Sequence, residues 1–174
     1  MNEYLSSIGL NLGSHYNASV SYFKTSYDFE IPTDDKKNVE TAIQILADIA
    51  KNLNLTPEAF ERERKIVEEE YRTDIGGYNN YFDELDKYIY KNSRLLYRKP
   101  IGQLEVIQNF KYEDVISYYK KWYQPERMGL FVIGEINSDE ILDLINKYFG
   151  KFENSAETVN PNYKIPDFKE NQFF

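Results

Sequence analysis

Glu63 and Glu70 are the residues of this chain whose type and spacing best suit chemistry. Seven residues apart on a helix, they lie within about 20° of each other at about 100° per residue. With Phe60 set to zero, Val67 falls at about 340°, Tyr71 at about 20° and Ile66 at about 240°, which defines an apolar arc. Glu63, at about 300°, and Glu70, at about 280°, fall inside that arc. Glu61, Arg62, Lys65, Glu68, Glu69 and Arg72 fall on the other side. Burying an ionised carboxylate costs several kcal/mol unless it is paired or bound to a metal. Periodicity leaves two readings open. Either the helix rolls or basic groups such as Arg64 pair with the carboxylates, or one face carries a metal ligand and a supporting acid.

Other chemistries are narrowed by counting. The sequence has no cysteine and one histidine, His15, so no thiolate site forms and no mechanism draws two histidines from these residues. His15 lies at a helix–strand junction and is expected to be structural or solvent-facing. Serine-rich spots lack a usable histidine for a nucleophile–base pair. Gly76-Gly77 lacks the Lys and Ser/Thr of a phosphate loop. With 21 basic against 29 acidic side chains the formal charge is -8, which argues against nucleic acid or an anionic membrane as partner. No apolar run approaches the ~18 residues of a membrane span.

The elements that position these residues follow from periodicity and caps. The first residues read as the end of a helix, with Tyr4, Leu5 and Ile8 on one face and Gly9 as its stop. Two antiparallel strands are expected near 16–22 and 26–31. A helix capped by Thr33 or Asp34 runs to about Leu53, with Val39, Ala42, Ile43, Leu46, Ile49, Ala50 and Leu53 on its apolar face. Thr56-Pro57 starts the glutamate helix, which ends near Gly76-Gly77. A tyrosine-rich helix over 79–92, the irregular segment 94–103, and helices over 103–109 and 112–123 follow. MGLFVIG, residues 128–134, reads as a buried strand. Asn137 or Ser138 caps a last helix that turns Ile141, Leu142, Leu144, Ile145 and Phe149 inward and stops at Gly150. Residues 1–152 form one α+β domain in this reading, with helices packed on a mixed β-sheet, and 153–174 form a linker or strapping tail.

The segment ERERKIVEEEYR resembles the helix that carries the glutamate zinc ligand in the pitrilysin–insulinase peptidases, the inverted zincins. SIGLNLGSHYNASVSYFKTSYDFEIP is similar to that family's strand pair after the active-site helix, and TAIQILADIAKNLNLTPEAFERER to its next helix pair. The stretch from Pro100 to Phe152 resembles the region that closes the domain. The resemblance covers about residues 2–153 in family order.

Carried over residue by residue, the resemblance implies that Glu70 is a zinc ligand and that Glu63 is a supporting acidic residue of the catalytic site. It implies that Asn17 and Ala18 hold a peptide substrate through main-chain hydrogen bonds, as an added strand. Zinc would polarise the scissile carbonyl and activate water. The family's H-x-x-E-H motif, with two zinc-binding histidines and the general base, lies roughly 75 residues before the glutamate ligand and has no match here. Leu95-Leu96-Tyr97-Arg98-Lys99-Pro100 also departs from the family, which often has a His-Pro pair there. The expectation is an N-terminally incomplete part of a zinc metalloendopeptidase, inactive and without bound zinc when alone. Its expected partners are peptides or small unfolded proteins and a second peptidase-like domain or subunit, with a cytoplasmic location. The alternative is a non-catalytic peptide-binding or assembly subunit of such a peptidase.

Overall fold

A computed structural model describes residues 5–6, 10–74 and 77–154. In chain order the elements are β1 (Tyr16–Val20), β2 (Thr25–Phe29), α1 (Lys36–Lys51), α2 (Pro57–Asp74), α3 (Gly77–Ile89), a 3-10 turn at Arg94–Tyr97, α4 (Leu104–Asn109), α5 (Tyr112–Trp122), a 3-10 turn at Pro125–Arg127, and α6 (Ser138–Phe149). The class is α+β, as the sequence implies. Tyr4, Ile8, Gly9, Gly76 and nearly all of the expected tail lie outside the described residues. The described residues fall into two compact units, one from those up to Leu55 together with 113–154, the other from Thr56–Tyr112.

In the first unit, β1 and β2 form an antiparallel pair in which Tyr16 faces Phe29 and Val20 faces Thr25. The Tyr16 and Phe29 rings stack at 5.8 Å. Leu5, Leu10 and Tyr16 make a small buried core with Phe29, Ile31 and Ile45 against it. Asp35, rather than Thr33 or Asp34, caps α1 by accepting from the Lys37 N–H at 2.9 Å. Ala42, Ile43, Ala47, Ile49 and Ala50 bury the inner face of α1. Its C-terminal end is held by Tyr119, whose hydroxyl donates to the Ile49 carbonyl at 2.8 Å and accepts from the Leu53 N–H at 3.2 Å. Such a hydroxyl satisfies groups that a helix end leaves without partners. α6 packs on α1, its N-terminus capped by Asn137 Oδ1, and Lys147 and Tyr148 both donate to Glu40.

The Tyr27 and Tyr123 hydroxyls meet at 2.6 Å. Burial, and then the bond to Tyr123, hold the Tyr27 phenol well above its ordinary value. The fold therefore favours the protonated phenol. That contribution is fully present below the unfolded value of about 10 and is lost as pH rises through the folded value. Urea midpoints taken from pH 9 to 11 should fall more steeply for the wild type than for Tyr27→Phe. Parallel slopes would contradict this.

In the second unit, Thr56 Oγ1 accepts from the Ala59 N–H at 3.2 Å and Pro57 opens α2, as the sequence indicates. α2 packs on α4. Lys99 ties the segment after α3 back to that helix through Asp83 and Asp86. Ser93, buried, caps the Arg94–Tyr97 turn by accepting from the Leu95 N–H.

Two sequence expectations are corrected. Residues 128–134 do not form a buried strand: Phe131 is 85% and Ile133 94% exposed. Their neighbours Leu130 and Val132 are half-buried, so the side chains alternate as in a strand, but among the described residues nothing pairs with this segment. An apolar run alone cannot supply the ladder partner a strand requires. Leu142 is 55% exposed rather than inside, because α6 turns Ile141 into its packed face instead. Changing Phe131→Ser together with Ile133→Thr should alter the stability of this chain by less than about 0.5 kcal/mol. A loss above about 3 kcal/mol in a urea melt would restore the buried-strand reading.

Candidate functional site

The glutamate helix packs through a different arc from the one its apolar residues suggest. Ala59, Phe60, Arg64, Val67, Glu68 and Tyr71 are the half-buried positions, whereas Glu63, Ile66 and Glu70 are exposed. The helix is rolled so that Arg64, at about 40° on the same wheel, points inward. The inward placement of Glu63 and Glu70 is therefore corrected. The Glu63 side chain is 61% exposed and lies 3.2 Å from the Arg62 Nε. Glu68, expected on the solvated face, is 20% exposed at its side chain.

Arg64 causes the roll. Its guanidinium lies between the Phe60 ring, 4.6 Å from the centroid, and the Phe110 ring, 4.7 Å from the centroid. Nη1 donates to the Ile107 carbonyl at 2.7 Å and Nη2 to the Phe110 carbonyl at 2.6 Å. α4 has no basic residue in its own last turn, so Arg64 supplies the cation and donors that a helix C-terminus favours. The Arg64 Nε lies 3.3 Å from Glu61 Oε2 without hydrogen-bond alignment. With Arg64 buried, the carboxylates at 63 and 70 share the opposite, open stripe with Ile66. They stand two turns, about 10 Å, apart along the axis.

Asn17 and Ala18 lie side by side on β1, and every residue from Asn17 to Val20 is exposed. Their main chains point in opposite directions. The Glu30 N–H donates to the His15 carbonyl and the Ser21 N–H to the Lys24 carbonyl, so odd-numbered residues of β1 are bonded to β2. Alternation then assigns the Asn17 main chain to its pair with Asp28 and leaves that of Ala18 on the outer edge. Of the two residues singled out by resemblance, Ala18 alone presents main-chain groups outward.

His15 is a local structural residue. Its Nδ1 accepts from the Asn11 N–H at 3.2 Å and lies 3.0 Å from Ser14 Oγ. These bonds secure the loop before β1, in which Gly13 adopts a φ of +86°, a conformation that favours glycine. Among the described residues, no group of three or more His, Cys, Asp or Glu side chains is gathered to hold a metal. None of the described helices is long and apolar enough to cross a membrane. The sequence offers Arg64 only as an ion-pair partner for the carboxylates; its place one turn after Phe60, at the edge of the apolar arc, is the signal for its burial.

The described elements give an α+β fold in which a strand pair is followed by two helices, the second carrying exposed carboxylates. Residues 1–95 match the family described as Insulinase (Peptidase family M16), and residues 109–174 match the Peptidase M16 inactive domain. The chain belongs to the insulinase family, M16. It is 29% identical to the Zinc protease PQQL-like of Arabidopsis thaliana over 98% of this chain and 18% of that protein. It is 29% identical to the Probable zinc protease PqqL of Escherichia coli over 91% of this chain and 17% of that protein. The crystal structure of the periplasmic protease PqqL from Escherichia coli superposes with a TM-score of 0.89 at 27% identity, covering 95% of this chain and 18% of that one. The chain thus spans less than a fifth of the length of these relatives.

Proposed function

We propose that this chain is the part of a zinc-dependent metalloendopeptidase that contributes one metal-binding carboxylate and one peptide-docking strand. Glu70 is the zinc ligand, Glu63 the acid that supports it, and the outer edge of β1 at Ala18 the place where an extended peptide adds. The observation that carries this reading is the open stripe of α2: with Arg64 turned inward, Glu63 and Glu70 are both exposed on one side of the helix, Glu63 paired only with its surface neighbour Arg62. Residues 1–152 act as one domain in this reading, and the substrate is an extended peptide or a small unfolded protein. A second peptidase-like domain or subunit completes the working enzyme.

Zinc fits these residues only in part. A catalytic zinc takes three nitrogen or oxygen donors from protein, and the matched position here supplies one carboxylate. The 174-residue chain by itself should therefore retain no stoichiometric zinc. Elemental analysis after dialysis against trace zinc checks this. One tightly held zinc per chain, lost in Glu70→Ala, would mean that other residues complete the site.

The function is tested on the full-length protein with a quenched-fluorescent, unstructured peptide. Cleavage that stops with 1,10-phenanthroline and returns with zinc is expected. Cleavage that ignores the chelator, or no cleavage by the zinc-supplemented protein, would contradict the proposal.

A further inference from the structure

The outer edge of β1 is partly closed by the protein itself. Tyr16, the first outward residue, has both main-chain groups engaged: its carbonyl accepts from the Gly13 N–H at 2.8 Å and its N–H donates to the Asn11 carbonyl at 3.4 Å. The next outward N–H, that of Ala18, donates to Asn17 Oδ1 at 2.9 Å. Among the described residues the edge therefore offers an incoming strand a short window from Ala18 to Val20, and its first donor is already occupied. An unpaired edge is a template for strand addition, and a side-chain acceptor on that edge competes with the acceptor an added strand would bring.

We infer that the Asn17 carboxamide is a specificity-determining guard of the peptide-docking edge, which an extended peptide must displace from the Ala18 N–H in order to pair. This rests on the strand-addition reading above and deepens it. The main chain of Asn17 belongs to the ladder with β2, so its side chain acts on the peptide only through Ala18. A peptide succeeds when its carbonyl replaces Oδ1 at Ala18 and its own N–H meets the Ala18 carbonyl. Proline at that peptide position fails because it has no N–H to give. Isolated or short contacts that cannot displace Asn17 are turned away, which confines docking to extended segments pairing at both Ala18 and Val20.

The test uses the full chain, with amide exchange at Ala18 and binding of a labelled, end-capped hexapeptide rich in Val and Thr with a lysine at each end. In Asn17→Ala, the Ala18 amide should exchange closer to its random-coil rate. The peptide should then bind about fivefold tighter, the gain from removing one competing hydrogen bond. Ala18→Pro removes the outward donor without taking a bond from the β1–β2 ladder. It should bind the peptide several-fold more weakly than the wild type while the β2 amides keep their protection. Weaker or unchanged binding in Asn17→Ala, with the wild type still binding at β1, would overturn the guard and leave strand addition standing. Wild-type affinity in Ala18→Pro would also overturn it. Failure of the peptide to shift β1 amides in any variant would overturn the strand-addition reading, and the guard with it.

Discussion

Replacing Glu70 with Gln in the full-length protein should abolish peptide hydrolysis while leaving the fold intact. The carboxylate is isosteric with the amide but carries the charge and the oxygen donors that zinc selects. Changing a group that only supports a metal ligand already costs about 10–100-fold, so loss of the ligand itself should exceed about a hundredfold. Glu63→Gln, in the supporting position, should fall within that 10–100-fold range. In this chain the same Glu70→Gln change should alter stability by less than about 1 kcal/mol, because the side chain is exposed on the open stripe of α2. A loss above about 3 kcal/mol would instead identify Glu70 as a paired structural residue. Activity assays and urea melts of the two proteins read both halves.

Arg64→Met should have the largest effect on stability. The side chain is 11% exposed, and methionine would keep much of the packing between the Phe60 and Phe110 rings. What it cannot keep are the donors to the carbonyls of Ile107 and Phe110. Leaving acceptors of this kind unsatisfied costs about 1–3 kcal/mol each, so a loss of about 3 kcal/mol is expected in a urea melt. Arg64→Lys should recover little of it, since one ammonium cannot reproduce the planar fork that reaches two carbonyls. A loss below about 1 kcal/mol for Arg64→Met would show that the α2–α4 packing does not depend on this residue.

The elements were legible in the sequence where a local signal fixes them. Thr56-Pro57 marks the start of α2, Asn137 and Gly150 bracket α6, and the stretch after His15, rich in tyrosine, phenylalanine and serine, announces the β1–β2 pair. What failed depended on partners far along the chain. A helical wheel gives angles between side chains but not which angle faces inward. The direction of α2 is decided by two carbonyls near residue 110 that no pattern around residue 64 reveals. Arg64 counts as polar in any apolar tally, yet its stem and planar head fill a gap between two rings. The apolar content of 128–134 was read correctly, but burial of a strand requires neighbours on both edges, and those are not written in the strand. For the candidate site, resemblance named Asn17 and Ala18 together. The β1–β2 register is needed to separate them into a ladder residue with a competing side chain and an edge residue whose main-chain groups point outward.

The most direct test of the account is the zinc content of the full-length protein, measured by elemental analysis against protein concentration for the wild type and Glu70→Gln, both confirmed as folded. About one zinc per wild-type protein is expected, and little or none in the variant after dialysis. Zinc retained in full by the folded variant would remove Glu70 from the metal site and contradict the central claim.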